Sequence, residues 1–216
     1  MLTSAHLASL LRDGRDNKPE GISIIPLPEA EIANLDSGGE SSVDLRLGRW
    51  FVALRQARIG EMRVMDSDDG GDKLAKLYFR PFGEEFVIHP GRFVLGITLE
   101  WISLPANIGA YVTGKSSLGR RGLVIETAAG IHPGFSGCLA LEIANVGEVP
   151  LVINPGMRIA QMFPHPTTGV ERASVSGFNG QRKPVLGQIR FDSIYEKLKM
   201  TPSRGLDEGK TKPPSR

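Results

Sequence analysis

The chain has 216 residues, enough for one well-filled core with short appendages, so a single domain is the expectation. Lys and Arg number 26 against 24 Asp and Glu, too even a balance for a bulk nucleic-acid footprint, and no apolar run reaches membrane-spanning helical length. The single cysteine, Cys138, excludes an internal disulfide framework. With four scattered histidines (His6, His89, His132, His165) it cannot build a zinc finger or the His/Cys/Cys or three-Cys cage of zinc deaminases.

In chain order, "MLTSAHLASLLRDG" reads as a short helix with Thr3 or Ser4 as cap, Leu7, Leu10 and Leu11 on one face and Gly14 at the stop. It carries no basic leader or cleavage-like site, so the expected location is the cytoplasm. From about residue 22 short apolar or alternating runs recur between turn residues: "ISIIPL", "SVDLRLG", "WFVAL", "EFVIHPG", "FVLGITLEWISLP", "GAYVTG", "GLVIETA", "CLALEIANVG", "PLVINPG", "RIAQMF". Each has strand length, and no long helical period separates them, so a mainly β fold of barrel or jelly-roll-like sandwich type is expected behind a short N-terminal helix. "RVMDSDDGGDKL" reads as a solvated polar insertion. After Phe163 the alternation fades: "SGFNGQRKPVLGQ" is irregular, "DSIYEKLKM" reads as a short helix, and "TPSRGLDEGKTKPPSR" as a disordered end. The expected division is a β domain over residues 1–190 and a C-terminal extension over 191–216.

Within this pattern "GAYVTGKS" satisfies the phosphate-binding loop signature G-x-x-x-x-G-K-[ST]. The context contradicts that reading. The variable positions Ala110, Tyr111, Val112 and Thr113 are strand formers, the preceding "LPAN" is a turn, and the next strand starts at Gly122. A βαβ unit of roughly 30 residues does not fit. The segment "GKSSLGRRG" still places Lys115, Ser116, Ser117, Arg120 and Arg121 in one turn, three cations and two hydroxyls suited to a polyphosphate, or a solvated basic loop. In "CLALEIANV" the two-residue period puts Leu139, Leu141 and Ile143 on a core face. Glu142 lies on the other, between Ala140 and Ala144. A carboxylate among small residues can shuttle protons at a cavity, or be an ordinary strand-surface glutamate.

The runs "SVDLRLG", "FVIHPG", "LGITLEWISLPANIGAYVTGKSSLGRRGL", "TAAGIHPGFSGCLALEIANVGEVPLVINPGMRIAQMF" and "GFNGQ" resemble, in order, deoxycytidine triphosphate deaminases of the trimeric dUTPase superfamily, from about residue 20 to about residue 190. The resemblance implies a distorted double-sheet β fold, a homotrimer with active sites between subunits, and conversion of dCTP and water to dUTP and ammonia without zinc. It implies that Glu142 is the acid/base, that Ser116 and the carbonyl of Ala128 hold the attacking water, and that Arg120 supports them across the subunit interface. Lys115, Ser117, Thr127, His132, Gln161, Phe178 and Gln181 match substrate-contacting positions. Magnesium would arrive on the triphosphate. No nucleic-acid or membrane partner is implied.

The match departs from the family at "IHPG", where His132 replaces the usual Asp, and in the tail, where Gly177 and Phe178 replace Lys-Tyr. The first puts hydrolysis of dUTP in doubt more than deamination, because imidazole is a poorer anionic base that still hydrogen-bonds a hydroxyl. The second removes a phosphate-directed cation, for which Arg182 or Lys183 are the substitutes at hand. Met157 and Met162 read as core filler, and His89 as a turn residue.

Overall fold

The computed structural model describes residues 2–55, 74–125, 130–168, 177–187 and 192–200. The polar insertion lies almost wholly outside them, as do Thr127, Ala128 and the chain beyond residue 200.

Helix α1 (Ser4–Arg15) is capped by Thr3, whose hydroxyl accepts from the His6 N–H at 3.3 Å, and it buries Leu7, Leu10 and Leu11. Gly14 does not end it. The helix runs on to Arg15, and Gly14 makes room for the returning chain, since a Cβ there would sit 2.1 Å from the Ile22 carbonyl oxygen. After β1 (Ser23–Ile25) comes α2 (Glu29–Asp36), a helix with no counterpart in the sequence reading. Eight residues with two buried side chains, Ile32 and Leu35, give too little period to detect. Glu29 and Glu31 favour its positive N-terminal end, and ion pairs Arg12–Asp36 and Arg15–Glu29 tie it to α1.

The remaining strands are β2 (Val43–Arg46), β3 (Trp50–Leu54), β4 (Ala75–Phe79), β5 (Phe86–Ile88), β6 (Phe93–Ser103), β7 (Ile108–Gly114), β8 (Leu123–Ile125), β9 (Gly130–Ile131), β10 (Ser136–Asn145), β11 (Leu151–Ile153) and β12 (Arg158–Pro166). Between β7 and β8 lies the single turn α3 (Ser116–Gly119), and α4 (Ser193–Met200) follows the sheets. Each run read from the sequence holds one of these strands; β4 and β9 were not anticipated.

One sheet has the order β4-β3-β6-β10-β8, with β1 also on β6; a second has β2-β12-β7-β9; β5 and β11 form a small ribbon. All strand pairings among the described residues are antiparallel. The core between the sheets includes Leu45, Leu47, Phe51, Leu141, Ile143, Ile159 and Met162, all fully buried. At about 1.5–3 kcal/mol for each large apolar side chain, this core is the main favourable term holding the sheets together. Met157 packs at its margin.

Along β6 the pairing with β10 jumps from Trp101↔Cys138 to Ile97↔Ala140, so β6 carries two extra residues there. The Thr98 hydroxyl fastens this bulge, donating to the Glu100 carbonyl at 2.8 Å and accepting from the Leu139 N–H at 2.9 Å. The bulge leaves Leu139 half-buried, whereas the period placed it fully in the core.

Candidate active site

The segment from Lys115 to Gly122 carries the chain from β7 in the second sheet to β8 in the first. Its tightness needs Gly122, which has φ +87° and lies so close to the "NVG" turn that a Cβ would sit 2.8 Å from the Gly147 nitrogen. Ser116, Ser117 and Arg120 are exposed. The three cations of this turn are not equivalent. Lys115 Nζ is 2.5 Å from Asp44 Oδ1, and Arg121 Nη1 donates to the Ser117 carbonyl at 2.6 Å. Arg120 alone keeps its guanidinium without a partner among the described residues. The sequence leaves all three open between a polyphosphate site and a solvated basic loop; in the fold Arg120 is the one not engaged among the described residues.

Glu142 lies on β10 opposite Leu95 of β6, one residue from the stretch that pairs with β8 (Ile143↔Ile125, Ala144↔Val124). The strand following the serine turn is therefore hydrogen-bonded to the strand bearing Glu142. The side chain is half-buried between half-buried Ala140 and Ala144, while Leu141 and Ile143 point into the core. Among the described residues its carboxylate makes no hydrogen bond or ion pair, so it is not committed to a structural partner. Among the described residues no hydrogen bond or ion pair joins it to Ser116 or Arg120.

Gln161 shares a row of the second sheet with Asp44 and Thr113, and its amide lies 3.5 Å from the Ser42 hydroxyl. The fold thus gathers Gln161, Asp44 and Lys115. Arg158 joins them, 3.7 Å from Asp44 and 3.2 Å from Glu31. An adjoining cavity of about 340 Å³ is lined by Glu31, Glu40 and Asp44 with Arg158 as its cation, a charge balance that repels a triphosphate.

The other expected contacts stand elsewhere. His132 is an exposed turn residue between β9 and β10, its carbonyl accepting from Phe135 N–H at 3.2 Å. Gln181 lies beside the start of β10, where its carbonyl accepts from Cys138 N–H at 2.9 Å, and Phe178 is 51% exposed. That docking point is four residues from Glu142, roughly 13 Å along the strand. Burial, partly offset by Arg182, pushes the Cys138 thiol above its ordinary value, so at neutral pH it is a protonated thiol and not a nucleophile.

The sequence reading missed Glu100. The bulge turns this residue inward, where it is fully buried, its Oε2 accepting from Arg46 N–H at 2.9 Å and its Oε1 3.5 Å from Arg46 Nη1. Burial holds its carboxyl above the usual carboxylate range against the pull of Arg46. The folded state then binds more protons than the unfolded state between the two pKa values. The stability this contributes is complete below the unfolded value and is lost as pH rises through the folded one. Glu100→Gln keeps an acceptor for the Arg46 N–H and is expected to abolish that fall in urea titrations carried upward in pH from the ordinary carboxylate range. Glu100→Ala is expected to cost about 1–3 kcal/mol, because it strands a buried N–H. A wild-type fall that persists in Glu100→Gln would assign the pH dependence to another group.

Residues 2–165 match the family model described as dCTP deaminase-like. The chain belongs to the dCTP deaminase-like family. A relative from Natronomonas pharaonis named dCTP deaminase is 37% identical over 192 residues, covering 85% of this chain and 95% of that one. A relative from Corynebacterium diphtheriae named dCTP deaminase, dUMP-forming, is 41% identical over 151 residues, covering 67% of this chain and 79% of that one. Among solved structures, 2'-deoxycytidine 5'-triphosphate deaminase from Agrobacterium tumefaciens superposes with a TM-score of 0.53 at 21% identity, over 76% of this chain and 45% of that one. This likeness speaks for the shared fold.

Proposed function

We propose that the protein is a dCTP deaminase that makes dUTP and ammonia without zinc. The observation that carries the reading is Glu142, an uncommitted, half-buried carboxylate among small side chains, in a chain of the dCTP deaminase-like family. In this reading Glu142 takes a proton from water as the water oxygen bonds to C4 of cytosine. The proton passes to N3; Glu142 then carries the second proton, from the new C4 hydroxyl, to the amine, and as the C4–N4 bond breaks ammonia leaves and the C4 carbonyl forms. Ser116 and the Ala128 carbonyl hold the water, and Arg120 orients them. The substrate is the magnesium complex of the triphosphate, whose charge Arg120 and Lys115 offset; Lys115 must then be shared with Asp44.

Absence of zinc from the mechanism is supported by the donor set. The chain has one Cys and four His, and no cluster of three or more His, Cys, Asp or Glu suited to a metal occurs among the described residues. We extend the reading to a homotrimer, because among the described residues no hydrogen bond or ion pair joins Glu142 to Arg120 within one chain. A cytoplasmic setting fits this chemistry, and among the described residues no helix is long and apolar enough to cross a membrane.

A second reading, direct formation of dUMP, draws on the name of the Corynebacterium diphtheriae relative. His132 weighs against it, since the family's carboxylate at this turn is replaced by imidazole. The deciding experiment incubates purified protein and magnesium separately with dCTP, dUTP, CTP and dCMP, following ammonia, pyrophosphate and the nucleotide product. Ammonia from dCTP with accumulating dUTP, undiminished by a zinc-selective chelator, is expected. Pyrophosphate release would establish the second reading, and silence on all four substrates would remove both.

A further inference from the structure

The tail segment 177–187 lies along the first sheet. Its backbone adds to the start of β10: Gly180 N–H donates to the Ser136 carbonyl at 2.7 Å, and Cys138 N–H donates to the Gln181 carbonyl at 2.9 Å. Gly137 leaves the space for it, since a Cβ there would press within 3.3 Å of both the Gly180 and Gln181 nitrogens. Two consecutive cations then cover two indoles. The Arg182 guanidinium lies 5.1 Å from the Trp101 ring centroid, and Lys183 Nζ lies 4.1 Å from that of Trp50. The indoles are themselves fixed, Trp101 by donating from Nε1 to the Ser136 hydroxyl at 3.1 Å and Trp50 by the Phe79 ring at 4.8 Å. Between them and under Arg182 lies a cavity of about 590 Å³ that reaches Thr98 and Cys138.

We infer that Trp50 and Trp101 are positioning residues, a paired indole clasp that holds the tail through Arg182 and Lys183 and thereby presents Phe178 and Gln181 to the substrate. Three features of the segment converge on this. The backbone bonds set the register of the segment, the cations fall in step with two indoles on neighbouring parts of the sheet, and the pairing directs both cations to ring faces. Neither Arg182 nor Lys183 is then the substitute for the missing phosphate-directed cation of the tail. The segment also closes on itself beyond the clasp, for Pro184 is buried and a Cβ on Gly187 would sit 3.2 Å from the Phe178 ring. Holding Arg182 and Lys183 therefore holds Phe178 as well. The role in substrate binding rests on the deaminase reading; the clasp itself does not.

These are the only two tryptophans in the chain, so intrinsic fluorescence reports the clasp without any substrate. In the full-length, ligand-free protein, Arg182→Gln with Lys183→Gln is expected to alter the emission spectrum and increase acrylamide quenching. Exchanging the cations, Arg182→Lys with Lys183→Arg, is expected to restore both. With dCTP the neutral pair should raise KM roughly ten-fold while kcat stays near wild type, given about a three-fold contribution per exposed cation–π contact, and the exchanged pair should recover KM. Unchanged emission and quenching in the neutral pair would overturn the clasp. Changed fluorescence with unchanged KM would overturn its positioning role. A wild-type protein inert toward dCTP would sink the deaminase reading instead, leaving the clasp to be judged on fluorescence alone.

Discussion

Glu142→Gln is expected to lower ammonia release from dCTP by about 10²–10⁴-fold while leaving dCTP affinity within a few-fold of wild type. The substitution keeps the shape of the side chain in its setting between Ala140 and Ala144, and it removes no described hydrogen bond or ion pair, so the fold has no reason to change. What it removes is the ability to accept a proton from water and return one to the leaving amine. The two effects separate cleanly in single-turnover rates and equilibrium binding of dCTP. Equal loss of both would mean that Glu142 holds the nucleotide and does not move protons. Retained turnover would exclude it from the chemistry altogether. The expected stability change is small, because a half-buried carboxylate with no partner among the described residues contributes little that an amide does not.

The strands were legible in the sequence because half-buried antiparallel strands write their period directly: Leu141 and Ile143 go inward, Glu142 and Ala144 outward, and glycine or proline marks each end. The period fails where register changes. Leu139 was placed in the core, but the two extra residues in β6 opposite it rotate the pairing and leave it half-buried. The same bulge buries Glu100, which the alternation of "TLEWIS" presents as one more polar residue. Long-range pairs are likewise invisible in one dimension. Lys115 reads as a free cation beside two serines, and its partner Asp44 lies 71 positions away. The resemblance supplied the list of site residues, and the single chain brings together only part of it. Lys115 and Gln161 gather around Asp44, and Ser116, Ser117 and Arg120 sit on the turn leading into the strand beside Glu142. His132, Phe178 and Gln181 lie near the other end of β10. The proposed homotrimer would account for this dispersal, because contacts between subunits are not encoded in one subunit's own packing.

The second large effect is expected at Asn145, which the sequence offers only as a strand-ending residue before Val-Gly. It is fully buried, and every polar atom of its side chain is used. Nδ2 donates to the Ile88 carbonyl at 2.8 Å and to the Val149 carbonyl at 2.8 Å, while Oδ1 accepts from Gly147 N–H at 2.9 Å. Its backbone is engaged too, for its N–H donates to the Arg92 carbonyl and its carbonyl accepts from Gly91 N–H. One amide therefore locks the end of β10 to the β5–β6 turn and to the loop that follows it. Asn145→Ala strands the Ile88 carbonyl in the core, whereas the Val149 and Gly147 groups can turn to water. The expected cost is about 3 kcal/mol, read as a fall in Tm of roughly 10 °C. Asn145→Asp should be at least as damaging, since it preserves the acceptor for Gly147 but turns an oxygen toward two carbonyls. Because Asn145 also pairs with Leu123 at the start of β8, loosening it should let the serine turn drift and raise KM for dCTP in protein that remains folded. A fall in Tm below about 3 °C for Asn145→Ala would mean that water replaces all three bonds, and the amide would then be a spacer and not a lock.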